Sequence, residues 1–233
     1  MSLAYTSFED LPKKLLELHL EYFEEALHYF QKLPQVRKGG MGIMGISKGA
    51  DLSLSMASFL EGVSAVVSVN GCNANLLCPL HYRGSSMPAL GLSRNRVIMR
   101  DSGVFNVRGC NNDPLALENA ACLVPIEQAA ARFLFVIGQD DQVWDSELYA
   151  RQMEEQLVSN GKMRPEMLLL PGAGHLLEPP YFPFCPASYD KFAGTYLEWG
   201  GNPESHSAAQ EKHWQRIREF FLENLGGAVQ SKL

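Results

Sequence analysis

The chain has 233 residues and a mass of 25.9 kDa, enough to bury roughly three-quarters of its unfolded surface without a metal or a disulfide. It is 46% hydrophobic and 20% charged, with a mean hydropathy of −0.12 and 20 basic against 26 acidic residues, a net charge of −6. This excludes a disordered or fibrous chain and broad contact with nucleic acid or anionic lipid, and no apolar run approaches the roughly 18 residues of a membrane helix.

In residues 8–33, Phe8, Leu11, Leu15, Leu18 and Tyr22 fall at three- and four-residue steps, with Lys13, Lys14, Glu17, Glu21 and Glu24 mostly between them. The spacing predicts one amphipathic helix, ended by Pro34 and Gly39-Gly40. Met41–Ile46 is short and apolar and reads as a buried strand, followed by a helix over Gly49–Leu60. The β-branched run Ser64–Val69 is a second strand, which Asn70-Gly71 ends as a turn.

From Gly71 to Ala131 the pattern loosens into an irregular excursion. Within it, Arg96–Met99 and Val104–Val107 flank Asp101-Ser102-Gly103 as a surface hairpin, and a helical stretch begins at Pro125. Phe133–Ile137 is a third strand, followed by the polar turn Gly138–Asp141 and a helix over Ser146–Asn160. Met167–Leu170 is a fourth strand that runs into Pro171-Gly172-Ala173-Gly174-His175. The last helix spans about 207–225, with Trp214, Ile217, Phe220 and Phe221 on one face. Strands alternating with helices predict an α/β fold: one domain over residues 1–233, with a mostly parallel sheet covered by helices on both faces.

Cys72, Cys78, Cys110, Cys122 and Cys185 match no zinc spacing and no C-x-x-C pair, so they read as free thiols in a reducing compartment. His19 and His28 fall on the first predicted helix, solvated or half-buried, and His81 falls in the excursion. His206 and His213, seven apart near the last helix, read as surface residues, and no histidines form a metal grouping. No metal or cofactor is expected. The chain ends Ser231-Lys232-Leu233, a tripeptide that the peroxisomal import receptor reads at a free C-terminus. The expected location is therefore the peroxisome, with the cytosol as an alternative.

The chemistry centres on Gly45-Ile46-Ser47-Lys48-Gly49, a G-x-S-x-G between a strand and a helix. Such a turn lifts the serine hydroxyl above the sheet, and side chains at the two glycine positions are expected to collide with neighbouring backbone. It also aims the amide of Lys48 at the oxygen of an attacked carbonyl, as one half of an oxyanion hole. The Lys48 side chain is expected in solvent, or in contact with an anionic substrate group. Asp141 follows the third strand and His175 the fourth, so serine, acid and histidine stand in α/β-hydrolase order at the carboxyl ends of strands. Asp140 competes with Asp141 for the acid role, with Asp145 a weaker rival, and spacing alone does not separate them. His175 is expected in an exposed, flexible turn between glycines.

At these residues the sequence resembles the hydrolase domain of the acyl-CoA thioesterases related to bile acid-CoA:amino acid N-acyltransferase. The matching stretches are His19–Ala26, GISKGADLSLSMASFL (Gly45–Leu60), FLFVIGQDDQVW (Phe133–Trp144), PGAGHLLEPPYFP (Pro171–Pro183) and Trp199-Gly200-Gly201. The resemblance implies Ser47 as nucleophile, Asp141 as acid partner, His175 as base, and hydrolysis of fatty acyl-CoA to free acid and coenzyme A. Family members that amidate use cysteine as the nucleophile and pass the acyl group to glycine or taurine, so Ser47 favours transfer to water. The resemblance also implies a preceding β-sandwich and further early strands, which makes this a partial α/β-hydrolase fold lacking those strands. Lys48 would then act alone in the oxyanion hole, and Met41–Ile46 would be a sheet edge open to self-association. An acyltransferase, or an impaired short form that binds acyl-CoA or a partner chain, are the competing expectations.

Overall fold

A computed structural model describes residues 2–36 and 39–226; the tripeptide Ser231-Lys232-Leu233 lies outside the described residues. In chain order the elements are β1 (Leu18–His19), α1 (Leu20–Gln31), β2 (Met41–Ile46), α2 (Lys48–Phe59), β3 (Val63–Val69), β4 (Leu80–Tyr82) and β5 (Ser85–Met87). They continue with β6 (Ile98–Met99), β7 (Phe105–Asn106), β8 (Arg132–Gly138), α3 (Ser146–Ser159), β9 (Glu166–Leu170), β10 (Ala187–Asp190), β11 (Thr195–Glu198) and α4 (Pro203–Asn224).

The central sheet has the order β2-β3-β8-β9, and every pair in it is parallel. Its register aligns Ile46 with Val69, Val69 with Val136, and Gly138 with Leu170, so all four strands deliver their carboxyl ends to one rim. β3 is buried on both faces along almost its whole length, which is why its sequence is a continuous run of small and β-branched residues rather than an alternation. One face packs Val66, Phe133, Phe135 and Ile137 against Leu20, Phe23 and Leu27 of α1, Leu52 and Leu54 of α2, and Met153 and Leu157 of α3. The other packs Ala65, Val67, Leu134 and Val136 under Ala209, Ile217 and Phe220 of α4. Each large apolar side chain buried this way contributes about 1.5–3 kcal/mol. Arg216 also clips α4 to β9, its guanidinium donating to both oxygens of Glu166 at 2.5 and 2.7 Å. The fold is thus α/β with helices on both sides, and β2 is an edge of the described sheet.

The first helix is shorter than its periodicity predicts, starting at Leu20 rather than near residue 8. Ser7 and Glu9 take positive φ, and the Ser7 N–H and the Thr6 hydroxyl both donate to the Pro12 carbonyl. Pro12 has no N–H to give a helical ladder, so the segment curls and leaves Phe8 and Leu16 exposed. Leu18–His19 instead pair with Leu80–His81, part of a small sheet β1-β4-β5. The predicted stretch from Pro125 is only a short 3-10 turn, Ile126–Gln128.

Two further hairpins had weak sequence signals. β4 and β5 are three residues each, too short for a readable period. β10 and β11 pair across an Asp190–Gly194 turn, in which the Asp190 carboxylate accepts from the amides of Phe192 and Ala193. This hairpin joins β7 and β6 in a four-stranded sheet of order β10-β11-β7-β6. A third apolar cluster, including Leu76, Leu90, Trp144, Leu197 and Trp199, lies between that sheet and the rim. Among the described residues, no helix is long and apolar enough to cross a membrane.

Candidate active site

Ser47 sits between β2 and α2 at φ 55°, ψ −124°, a strained conformation for a residue with a Cβ. The strain is held by close packing of backbone on backbone. A Cβ at Gly45 would lie 1.8 Å from the Gly49 carbonyl oxygen and 2.1 Å from its carbon. The second glycine differs from expectation, since a Cβ at Gly49 would meet nothing within 4 Å. Only the first glycine is required sterically. Gly45→Ala is therefore expected to destabilise the chain by about 3 kcal/mol or prevent folding, whereas Gly49→Ala should be neutral or stabilise α2 by up to about 1 kcal/mol. Urea unfolding of the two variants checks the contrast.

Three side chains expected at the rim converge there. His175 Nε2 lies 2.8 Å from Ser47 Oγ, and His175 Nδ1 lies 2.8 Å from Asp141 Oδ2. Asp141 is itself saturated: Oδ1 accepts from the amides of Val143 (2.8 Å) and Trp144 (3.0 Å), and Oδ2 also accepts from the Ser146 hydroxyl at 2.5 Å. A carboxylate with every other lone pair on a donor requires a proton on Nδ1 of His175, which leaves the Nε2 lone pair for the serine. The two rival carboxylates are elsewhere. Asp140 accepts from the Gly201 amide and from Gln142, and Asp145 pairs with Arg108.

His175 is fully buried, in contrast to the exposed turn its flanking glycines suggest. Trp144 meets its ring edge-on at 5.2 Å and Trp199 stacks at 6.0 Å, while the Trp199 carbonyl accepts the His175 amide. Lys48 also departs from expectation: its side chain is buried, not solvated. Its ammonium donates to Asp51 Oδ2 at 2.9 Å and to Asn75 Oδ1 at 2.8 Å, so it is committed inside the protein rather than offered to a substrate. Burial pushes the Asp51 carboxyl above its ordinary range, opposed by Lys48. The Lys48 amide, at the first position of α2, has no carbonyl one turn earlier in the helix to donate to and stands beside Ser47.

Two positioning residues escape a reading by motif. Asn70 is fully buried just past β3; its amide nitrogen donates to the carbonyls of Gly174 (3.1 Å) and His175 (2.7 Å), and its oxygen accepts from the Gly138 amide (2.7 Å). His206, buried rather than at the surface, brackets His175: Nδ1 accepts from the Gly174 amide at 3.1 Å and Nε2–H donates to the Leu176 carbonyl at 3.0 Å. His213 is also buried, donating through Nδ1 to the Ala209 carbonyl. By contrast, His19 and His81 stack on one another at the surface. Among the described residues, no group of His, Cys, Asp or Glu could hold a metal ion. The five cysteines are free, four of them buried.

Burial pushes both His206 and His213 below the ordinary histidine pKa of 6.5. The unfolded chain therefore takes up protons first as pH falls through about 6.5, and stability declines below that point. His206→Gln should flatten this acid-side loss, which thermal unfolding between pH 7.5 and 5.5 measures.

A family model described as BAAT / Acyl-CoA thioester hydrolase C terminal matches residues 18–227. Human acyl-coenzyme A thioesterase 2, mitochondrial, is 44% identical over 227 residues, covering 97% of this chain and 47% of that protein. Human acyl-coenzyme A thioesterase 1 is 44% identical over the same length, covering 97% of this chain and 54% of its own. The chain thus spans about half the length of these curated relatives. Among solved structures, an acylaminoacyl peptidase of Pyrococcus horikoshii superposes with a TM-score of 0.51 at 16% identity, over 92% of this chain and 28% of that one, a likeness of fold. The chain belongs to the BAAT / acyl-CoA thioester hydrolase C-terminal family and carries an α/β-hydrolase-type fold.

Proposed function

We propose that the chain hydrolyses fatty acyl-CoA thioesters to free acid and coenzyme A, with Ser47 as nucleophile, His175 as base and Asp141 as the group that orients it. The observation that carries this reading is the continuous hydrogen-bonded path from Ser47 Oγ through His175 to a buried, saturated carboxylate. Ser47 Oγ attacks the thioester carbonyl while its proton passes to His175 Nε2. Asp141 stabilises the imidazolium, and the Lys48 amide donates to the oxyanion. Collapse breaks the carbon–sulfur bond, and His175 returns its proton to the departing thiolate. Water, deprotonated by the same imidazole, then attacks the acyl-serine; the acyl–Oγ bond breaks, His175 returns the proton to Ser47 Oγ, and the acid leaves. A serine oxygen ester suits transfer to water, so hydrolysis is preferred to amide formation. In the same reading Ser231-Lys232-Leu233, as a free end, directs the protein to peroxisomes; an amino-terminal fluorescent fusion that loses peroxisomal location when the tripeptide is removed tests that address.

The reaction is tested by adding fatty acyl-CoA to the pure chain and following release of free thiol, alongside labelling by a serine-directed phosphonate. Thiol release, with one label at Ser47 that is absent from unfolded protein and from Ser47→Ala, is the expected result. A folded chain that does neither overturns the proposal.

A further inference from the structure

The cleft of largest consequence outside the triad lies beside it. It has a volume of about 500 Å³, and Arg96, Arg100 and Arg108 all line it, a size typical of ligand sites. These arginines come from three places: before β6, after β6 and after β7. In a chain of net charge −6, this one cleft gathers three guanidiniums against the carboxylates of Asp113 and Asp145. The rest of its wall mixes amide side chains, Asn106, Asn111, Asn112 and Gln142, with Ile98, Pro114, Leu148 and Tyr149, so it offers both hydrogen-bonding groups and flat apolar surface beside the guanidiniums.

The arginines are held in place without being consumed. Arg100 gives one nitrogen, Nε, to Glu198 at 2.9 Å; Arg108 gives Nη2 to Asp145 at 3.0 Å; Arg96 gives Nη1 to the Asn111 carbonyl at 3.1 Å. None of these is a two-pronged carboxylate pair, so each guanidinium retains nitrogens for a multivalent anion. The wall is also built into the catalytic rim. Buried Asn106 donates to Glu198 (2.9 Å) and to Gln142 (2.6 Å), and Gln142 donates to Asp140 at 2.7 Å, one residue before Asp141.

We propose that this cleft receives the phosphate-bearing end of the thioester, the 3′-phospho-ADP portion of coenzyme A, while the pantetheine arm reaches Ser47. The choice of ligand rests on the thioesterase reading above. A phosphate group accepts from several guanidiniums at once through the nitrogens that their single contacts to Glu198, Asp145 and the Asn111 carbonyl leave over, which suits arginine rather than lysine at all three positions.

The test separates the cleft from the chemistry. Calorimetric titration of the chain with 3′-phospho-ADP is expected to show one site, weakened roughly tenfold to a hundredfold in Arg96→Ala and in Arg100→Ala. In parallel, the two variants should raise KM for acyl-CoA by a similar factor while leaving hydrolysis of acyl-pantetheine, which lacks the nucleotide, unchanged; that unchanged rate also certifies the fold. Absence of binding to the wild-type chain, or equal binding by wild type and variants, overturns the assignment even if thioester is hydrolysed. Binding that the arginine variants lose, without thioester hydrolysis, upholds the cleft and sinks the proposed reaction.

Discussion

Asp141→Asn is expected to lower kcat for thioester hydrolysis by about four orders of magnitude while leaving stability within about 1 kcal/mol. The reason is a proton in the wrong place. Asp141 Oδ1 accepts from two backbone amides that cannot turn away, so in the variant this position remains an oxygen. The new amide nitrogen then occupies the place of Oδ2, facing the Ser146 hydroxyl and Nδ1 of His175. A hydroxyl rotates to accept. The imidazole can accept at Nδ1 only by moving its proton to Nε2, where it points at Ser47 Oγ and leaves no lone pair to take the serine proton. Phosphonate labelling of Ser47 should slow in parallel. Asp141→Ala behaves differently, because it strands the amides of Val143 and Trp144 and should lose stability as well as rate. A kcat for Asp141→Asn within tenfold of wild type would show that Asp141 does not set the tautomer.

What could be read from residues alone follows a physical division. The four strands of the central sheet and the helices α2, α3 and α4 are legible because each carries its own period or a continuous apolar run, and turn residues bound them. Ser47, Asp141 and His175 are legible because each must leave the carboxyl end of a strand in a fixed order. What fails is either a local turn that overrides a helical period or a contact whose partner lies far away in sequence. Phe8 and Leu11 lie in helical phase with Leu18, yet Ser7, Glu9 and Pro12 close a turn of their own. Lys48 carries a charge that belongs in water until Asp51 and Asn75, 27 residues on, enclose it. His206 follows a glycine-rich turn and reads as surface, and only the fold brings it to the amide of Gly174. The β10–β11 hairpin left a usable trace, an aspartate four residues before a glycine between two tyrosines.

The hydrogen bonds from Ser47 through His175 to Asp141 also require that two turns from different strands stay in register, and the residue that ties them is Asn70. Its oxygen holds Gly138, at the end of the strand that leads to Asp141, and its nitrogen holds the carbonyls of Gly174 and His175. It occupies φ 47°, where asparagine is among the least costly residues with a side chain. Asn70→Ala leaves one buried donor and two buried acceptors without their partner and places alanine in a left-handed conformation. A loss of about 3–5 kcal/mol is expected, read as a lower midpoint in urea. Asn70→Asp is the sharper variant, since it changes one nitrogen to oxygen, keeps the acceptor for Gly138 and keeps the tolerance of positive φ. It sets a carboxyl oxygen against two carbonyl oxygens in a dry site, so the group should prefer its protonated form and donate to one of them. The variant should accordingly lose stability as pH rises from the ordinary carboxyl pKa of about 4 up through the raised one, because over that range the unfolded chain has released a proton that the folded chain retains. Wild type, with a neutral amide, has no proton to release at this position. Equal stability of Asn70→Asp and wild type from pH 5 to 8 would mean that the two turns are held together by something other than this side chain.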